Sequence, residues 1–136
     1  MSNAKCVGIG ASMLSVILAS GCATSGGHAG DTTFPVGRYQ NGETVAVFGA
    51  DGSFKGTTTQ SEDWVKGTYA SRGDIFTVVD TWESESLVKR MGRSCKGIPG
   101  KYRWSMSGGV LTAKVVDDKC DGRREGTSGV PWTRVN

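Results

Sequence analysis

Short segments of β-branched and aromatic residues, separated by glycine turns, run through the chain from Thr33 onward and favour a β fold. The chain has 136 residues, of which 21 are glycine. Thr44–Phe48 has the composition of a strand, and Asp51-Gly52 after it is typical of a tight hairpin turn because glycine tolerates positive φ. No window has convincing helical spacing, and for residues 82–91, where the spacing is partly helical, we predict a loop or weak strand. The other predicted strands are 54–59, 64–70, 75–82, 100–107, 110–117 and 130–135.

Side chains alternate between apolar and polar along these segments. In residues 100–107, for example, Tyr102 and Trp104 alternate with Arg103 and Ser105, which places them on opposite faces of a strand. About eight antiparallel strands with one apolar face fit an up-and-down barrel or a two-sheet sandwich, and the pattern does not separate the two. The predicted interior residues are Ala46, Phe48, Val65, Tyr69, Phe76, Val78, Tyr102, Trp104, Met106, Leu111, Ala113 and Val115.

A Gly-x-Tyr triplet occurs three times, at residues 37–39, 67–69 and 100–102. Glycine within a strand permits sharp coiling, and the tyrosine two positions later points to the same face. Strands that curl into a closed barrel need such positions. The triplets therefore support a repeated, strongly coiled meander.

The N-terminal segment has the organisation of an export signal. Lys5 supplies a positive charge and residues 7–18 carry none, while the apolar run is shorter than the ~20 residues of a transmembrane span. The sequence Leu-Ala-Ser-Gly-Cys at 18–22 resembles the lipobox of bacterial lipoproteins, in which signal peptidase cleaves before a cysteine that then receives lipid. The alternative is an ordinary secretory signal in which Cys22 has no special role.

The lipobox resemblance implies a signal peptide over residues 1–21 and lipidation of Cys22. Residues 22–33 are small and polar and form a flexible tether, which leaves residues 34–136 as the folded domain. Acyl chains on Cys22 would attach the protein to a membrane, since each buried methylene contributes ~0.8 kcal/mol. We expect a lipid-anchored protein of the bacterial cell envelope. Ala23 resembles the residue that permits sorting to the outer membrane, facing the periplasm, in Gram-negative cells.

The two cysteines within the predicted domain are Cys95 and Cys120. Because export leads to an oxidising compartment, we predict a disulfide between them. It would close a loop of about 25 residues and stabilise the domain by roughly 3 kcal/mol. A two-cysteine metal site is the alternative, but no histidine lies nearby to complete it. We expect neither a metal nor a cofactor.

The sole histidine, His28, lies in the predicted tether. Neither a Ser-His-Asp nor a Cys-His arrangement can therefore be built within the domain. Chemistry by paired carboxylates remains open in principle, although most acidic residues fall at turns, where solvation is their ordinary role. We expect a protein without enzymatic activity.

Several short motifs of the domain resemble those of lipocalins and related calycin barrels. Gly37-Arg38-Tyr39 resembles the Gly-x-Trp signature of their first strand, with tyrosine in place of tryptophan. Residues 48–54 resemble the first hairpin of small bacterial lipocalin-like domains. Four further segments resemble the closing part of those domains, namely residues 100–104, 111–112, 117–123 and 132–134. The resemblance implies an up-and-down barrel of about eight strands.

In that group an arginine near the last strands packs over the aromatic residue of the first-strand motif and closes one barrel end. The resemblance assigns this role to Arg123 and Tyr39, and a shielded cation over a ring contributes ~1 kcal/mol or more. Arg124 could serve instead of Arg123. The alternative is that both arginines are solvated loop charges.

Lipocalin-like barrels bind small hydrophobic molecules, and the resemblance implies a small apolar or amphipathic ligand here. The residues expected to line the pocket are Tyr69, Phe76, Tyr102 and Trp104. Packing in a filled core is the alternative for these four residues.

A second hypothesis is an envelope interaction or inhibitor protein that acts through basic residues around Cys95. A basic loop held by a disulfide could contact an acidic protein, anionic lipid headgroups or cell-wall polymer, whereas neutralisation by neighbouring acids is the alternative. Nucleic acid is not expected, because export removes the chain from it and the basic residues lack an aromatic platform. The sequence does not indicate an oligomeric state. The basic residues are Lys89, Arg90, Arg93, Lys96, Lys101 and Arg103.

Overall fold

The structure, a computed structural model, describes residues 33–136. The predictions about the signal peptide, Cys22 and residues 22–32 of the tether lie outside the described residues. Eight antiparallel strands follow one another round a closed barrel, in which the last strand pairs with the first. The strands are β1 (Gly37–Asn41), β2 (Thr44–Phe48), β3 (Ser53–Thr58), β4 (Asp63–Arg72), β5 (Ile75–Glu83), β6 (Pro99–Ser107), β7 (Val110–Asp118) and β8 (Pro131–Val135).

Closure of the sheet decides between the two folds that the sequence pattern allows. Gln40 of β1 pairs with Thr133 of β8, and Thr133 also pairs with Val110 of β7. The all-β, up-and-down barrel is therefore confirmed and the two-sheet sandwich is excluded. None of the helices in the described part of the chain is long and apolar enough to cross a bilayer.

Two short helices interrupt the strand order, and the sequence pattern predicts neither. Helix α1 (Glu85–Met91) replaces the predicted loop or weak strand between β5 and β6. The hydroxyl of Ser84 accepts a hydrogen bond of 3.1 Å from the Leu87 amide, and Gly92, at φ 84°, ends the helix. A helix of seven residues is too short to display a clear periodicity.

Helix α2 (Asp121–Thr127) joins β7 to β8. It contains Gly122 and Gly126, which lower its intrinsic helix propensity. Tertiary contacts hold it in place: its N-cap is Cys120, and the Arg123 side chain is anchored to Asp118 at the end of β7.

The connections between strands alternate between two ends of the barrel. At the first end, where β1 begins, the β2–β3, β4–β5 and β6–β7 connections are short turns. At the second end the β5–β6 and β7–β8 connections contain α1 and α2. The two ends therefore have different structures.

The first end is filled by aromatic rings packed around Phe34, which precedes β1. The Phe34 centroid lies 4.9 Å from that of Phe48, 5.1 Å from that of Tyr69 and 5.6 Å from that of Trp104. Rings at these separations are in favourable contact. The buried core residues are Phe34, Tyr39, Ala46, Phe48, Phe76, Val78, Tyr102, Leu111 and Ala113.

One interior prediction is wrong. Val115 is 36% exposed, because the pairing of β6 with β7 shifts register between Lys101 and Tyr102. The extra residue of this bulge on β7 is Val116, which follows Val115. Beyond it, the alternation of inward and outward side chains along β7 is reversed. As a result Asp118, rather than Asp117, is buried at the end of the strand.

Candidate functional site

A cavity of about 500 Å³ lies at the second end, between the barrel interior and the two helices. Leu87 and Met91 of α1 form one side, and residues of α2 form another. The helices touch where Met91 lies over Gly122, since a Cβ on this glycine would be 2.7 Å from Met91 Cγ. The apolar side chains that the barrel strands contribute to the wall are Val45, Ala46, Phe48, Phe54, Trp64, Val65, Phe76, Val78, Leu111, Ala113 and Trp132.

Arg123 of α2 forms a two-point ion pair with Asp118 beside this cavity. Its Nε donates a hydrogen bond of 2.7 Å to Asp118 Oδ2, and its Nη2 donates one of 2.8 Å to Oδ1. Nη2 also donates to the carbonyl of Ile98 at 2.7 Å. Asp118 further accepts hydrogen bonds from the Tyr102 hydroxyl and from the Cys120 amide. Both carboxylate oxygens are therefore occupied, as a buried charge requires.

Asp80 of β5 completes the polar cluster. Its Oδ2 lies 3.0 Å from Arg123 Nη1, and the two side chains are 3% and 9% exposed. The pair is close but not aligned as a hydrogen bond. Asp80 Oδ1 and Arg123 Nη1 thus have no hydrogen-bond partner among residues 33–136. Both residues line the cavity.

The pKa values of the Asp80 and Asp118 carboxyl groups are shifted in opposite directions. Burial raises the pKa of Asp80 to about 6, against the opposing attraction of Arg123, and the charges of Glu83 and Asp118 raise it further. Burial would raise the pKa of Asp118 too, but the hydrogen bonds from Arg123 and Tyr102 lower it below its ordinary value. Asp80 is therefore the carboxyl group whose charge changes in the mildly acidic range.

The polar cluster also shifts the pKa values of its other two members, Tyr102 and Arg123. Burial raises the pKa of Tyr102, and the hydrogen bond and charge of Asp118 add to that rise. Burial would lower the pKa of Arg123, but the hydrogen bonds that it donates to Asp118 and the charge of Asp80 raise this pKa above its ordinary value. Tyr102 therefore stays neutral and Arg123 stays charged at every ordinary pH.

The structure separates the four residues expected to line a ligand pocket. Phe76 contributes to the wall of the cavity. Tyr69 and Trp104 pack at the first end, where the Tyr69 hydroxyl donates a hydrogen bond of 2.7 Å to the carbonyl of Gly49. Tyr102 is fully buried and donates to Asp118. Ligand contact by these four residues stays a prediction. Of the four, only Phe76 is among the residues that line this cavity.

Arg134, and not Arg123, lies over the ring of Tyr39. The Arg134 guanidinium carbon is 5.2 Å from the ring centroid. Arg123 is held at the second end by its contacts with Asp80 and Asp118, whereas Tyr39 and Arg134 are direct partners across the β1–β8 pairing. Arg124 is not the closing residue either, since its Nη1 donates to the carbonyl of Asp118.

The Cys95–Cys120 disulfide is present, with the two Cα atoms 5.6 Å apart. It confirms the predicted bond and links the segment after α1 to the N-terminus of α2. Glu83 accepts a hydrogen bond of 2.8 Å from the Cys95 amide and another from the hydroxyl of Ser94. The disulfide therefore ties together the two helices that form the sides of the cavity.

The basic residues near Cys95 do not form one free patch. Arg103 pairs with Asp74 at 3.0 Å, near the first end. Arg93 donates to the carbonyl of Lys119, and the Arg90 guanidinium lies 5.1 Å from the centroid of the Trp64 ring. An interaction through this loop stays a prediction. Within the described part of the chain, no group of three or more His, Cys, Asp or Glu side chains could hold a metal ion.

Three important positions lie outside the residues singled out from the sequence. Asp80 continues the alternation of Phe76 and Val78, so the inward face of β5 could have indicated a buried carboxyl group. Phe34 is an isolated aromatic residue directly before the first strand. The inward position of Asp118 depends on a bulge in the pairing of β6 with β7, which no local sequence pattern predicts.

Comparisons with protein-family models, with curated proteins and with solved structures find no match to this chain. The structure itself defines the class of protein. It is a small antiparallel barrel of eight strands, filled at one end and hollow at the other. This architecture is compatible with the lipocalin-like barrels.

Proposed function

We propose that this protein is a non-enzymatic binding protein, which holds a small apolar or amphipathic ligand in the cavity at the second end of its barrel. The observation that carries the proposal is the cavity itself, with a volume of about 500 Å³. Pockets of roughly 300–1,000 Å³ with mainly apolar walls and a few polar groups are typical of small-molecule sites. Burial of the apolar part of a ligand against these walls would drive binding.

The arrangement of the ends supports the same function. The rings around Phe34 fill the first end, so a ligand would enter from the second end. The disulfide from Cys95 to Cys120 restrains both helices, which limits the ordering required when a ligand binds.

We further propose that the barrel is anchored to a membrane of the bacterial cell envelope through lipid on Cys22. The support is the sequence at 18–22 and the small, polar residues that follow it. Binding would then take place at a membrane surface, where small amphipathic molecules concentrate. Radiolabelled palmitate incorporated by the chain, and lost in a Cys22→Ser variant, would support the anchor, and unlabelled protein would contradict it.

Binding is tested with the neutral dye phenylnaphthylamine, whose fluorescence rises in apolar surroundings. The experiment compares the purified full chain with the variant Ala113→Leu, because Ala113 is buried and lines the cavity. The control is Val116→Leu, which places a leucine on the same strand at a side chain that is 49% exposed.

We expect saturable dye binding to the unaltered chain and to Val116→Leu, and an affinity at least about tenfold lower in Ala113→Leu, equivalent to ~1.4 kcal/mol of lost contact. Circular dichroism checks that both variants remain folded. Absent dye binding would contradict the proposal. So would equal affinities for folded Ala113→Leu and Val116→Leu, because the dye would then occupy another place.

A further inference from the structure

The polar residues on the cavity wall fall into an inner and an outer group. The inner group is Asp80 and Arg123, which lie 3.0 Å apart and are 3% and 9% exposed. Their charges are compensated by each other and by Asp118, so this group leaves no charge accessible to a ligand. The outer group comes from elements at the second end, and its members are half-buried or exposed. We call this outer group the rim, and it consists of Asn41, Thr44, Arg90, Glu125 and Thr127.

Arg90 of α1 is the basic residue of the rim. It is exposed, and its guanidinium carbon lies 5.1 Å from the centroid of the Trp64 ring, which also lines the cavity. The ring holds the guanidinium in place and leaves its N–H groups able to donate to another group. Within residues 33–136 Arg90 forms no ion pair, whereas Arg103 and Arg124 each pair with an aspartate. Arg90 therefore presents an uncompensated positive charge at the cavity.

Glu125 of α2 is the acidic residue of the rim. It is exposed, and in the described part of the chain its carboxylate forms no ion pair either. Met91, the neighbour of Arg90, packs on Gly122 of α2. Glu125 lies three residues after Gly122 and so shares its face of that helix. Arg90 and Glu125 therefore extend from the two sides of the contact between the helices.

We propose that the ligand is an amphiphile with a zwitterionic head group, whose anionic part binds Arg90 and whose cationic part binds Glu125. This inference rests on the proposed binding function and specifies the class of ligand. The apolar chain of the ligand lies inside the barrel against Val78, Leu111 and Ala113, where its burial supplies most of the affinity. The head group stays at the rim, where water also reaches it.

A head group with one charge satisfies only half of the rim. An anionic head group pairs with Arg90, but it places a second negative charge beside Glu125. A cationic head group pairs with Glu125 and is repelled by Arg90. Like charges that are brought together beside an apolar wall oppose binding. The rim therefore favours the ligand that carries both signs.

The size of this preference follows from the exposure of the rim. Ion pairs between exposed groups are partly screened by water, and each changes affinity by a factor of up to about five. The apolar wall thus determines whether an amphiphile binds, and the rim selects among amphiphiles whose apolar chains are alike.

The test measures displacement of phenylnaphthylamine from the full chain by probes that share a decyl chain, each below the concentration at which it forms micelles. The single-charge probes are decyl sulfate and decyltrimethylammonium. The zwitterionic probes are decylphosphocholine, which has the head group of a phospholipid, and 2-aminododecanoate, which has that of an amino acid. We expect at least one zwitterion to bind about fivefold more tightly than both single-charge probes. The better of the two zwitterions identifies the source of the head group.

Two substitutions test the two contacts separately. Arg90→Gln should weaken the preferred zwitterion about fivefold and leave the cationic probe no weaker than before. Glu125→Gln should weaken the zwitterion by a similar factor and leave the anionic probe no weaker. The controls Lys89→Gln and Asp121→Asn remove a charge from the same helices at exposed side chains outside the cavity wall, and neither should change the order of the probes. Each comparison of probes is made within one protein, so it does not depend on the stability of a variant.

The outcomes separate the two proposals. If the dye binds but neither zwitterion is preferred over both single-charge probes, the inference is wrong and the binding function stands. The same holds if the zwitterion keeps its full preference in either Arg90→Gln or Glu125→Gln. If the dye does not bind and none of the probes does, the binding function is wrong and the inference falls with it.

Discussion

The Arg134 guanidinium covers the Tyr39 ring at 5.2 Å, and its Nη2 donates a hydrogen bond of 3.0 Å to the Tyr39 hydroxyl. The contact joins β8 to β1, the pairing that closes the sheet into a barrel. Gly37 makes room for it, since a Cβ there would lie 2.8 Å from Arg134 Nη1. The first Gly-x-Tyr triplet therefore provides space for the arginine as well as the ring that it covers.

The third triplet is arranged in a similar way. A Cβ on Gly100 would overlap Asp118 Oδ2 and approach Arg123 Nη2, while Tyr102 bonds to Asp118. In both triplets the glycine admits polar groups that then contact the tyrosine hydroxyl. Gly67 differs, because a Cβ on it would overlap the carbonyl of Val79 in the neighbouring strand.

Arg134→Ala should lower the free energy of unfolding by about 1–2 kcal/mol, since it removes a cation–ring contact and a hydrogen bond from the closing pairing. Urea denaturation followed by circular dichroism measures the change. Arg38→Ala is the matched control, because Arg38 is an exposed arginine on β1. Equal losses in the two variants would show that Arg134 has no special role in closure.

Gly100→Ala should destabilise the barrel by about 2 kcal/mol or more, because the added methyl group overlaps a buried ion pair. Gly126→Ala should act in the opposite direction and stabilise it by about 0.5–1 kcal/mol. Gly126 lies within α2, and a Cβ there meets nothing within 4 Å. Thermal unfolding of both variants tests the pair, and a stable Gly100→Ala variant would contradict the tight fit at the ion pair.

Asp80 should make the barrel less stable as the pH rises from about 4 to about 7. Its pKa is raised to about 6 in the folded protein, against about 3.9 in an unfolded chain. The folded state therefore holds this proton more tightly, and the stability it provides is lost as the pH rises through about 6. About two pKa units correspond to up to about 3 kcal/mol.

The variant Asp80→Asn isolates this contribution. We compare the free energy of unfolding of the variant with that of the unaltered chain. As the pH rises from 4 to 7.5, the difference should change by up to about 3 kcal/mol in favour of the variant. Asp118 acts in the opposite sense, because its lowered pKa gives stability that is lost as the pH falls. Urea titrations at several pH values, with Asp117→Asn as an exposed control, measure the difference. Parallel pH curves for Asp80→Asn and the unaltered chain would refute the assignment.

Removal of the disulfide with Cys95→Ala and Cys120→Ala together should cost roughly 3 kcal/mol, because the bond closes a loop of 25 residues. Dye affinity should fall as well, since α1 and α2 lose the covalent link that restrains the sides of the cavity. Denaturation and dye titration of the same double variant test both effects. Unchanged dye affinity in a destabilised but folded variant would show that the helices keep their positions without the bond.

Local patterns in the sequence predict most of the strands correctly. Strand β5 was expected at 75–82 and is found at Ile75–Glu83, because alternation along one strand is visible without knowledge of its partners. The same reasoning fails at Val115, where a bulge that depends on the neighbouring strand reverses the faces. It also fails for α1 and α2, which are too short for periodicity and depend on caps and on tertiary contacts.

Much less of the site could be predicted. Phe76 lines the cavity because it lies on the inward face of a well-predicted strand, whereas its contact with a ligand stays a prediction. The partners of Arg123 and Arg134 follow from closure of the sheet, which brings together residues far apart in the chain. The hollow second end likewise results from where Phe34 and the two helices pack, and no local pattern specifies that.

The most direct test of the account is a nuclear magnetic resonance titration of the chain with phenylnaphthylamine, observed through methyl groups. We predict saturable shifts for Ala46, Val78, Leu111 and Ala113, which line the cavity, and no shift for exposed Val116. Saturable shifts confined to surface methyl groups, or no saturable shift at all, would contradict the central claim that the second end of the barrel binds a small ligand.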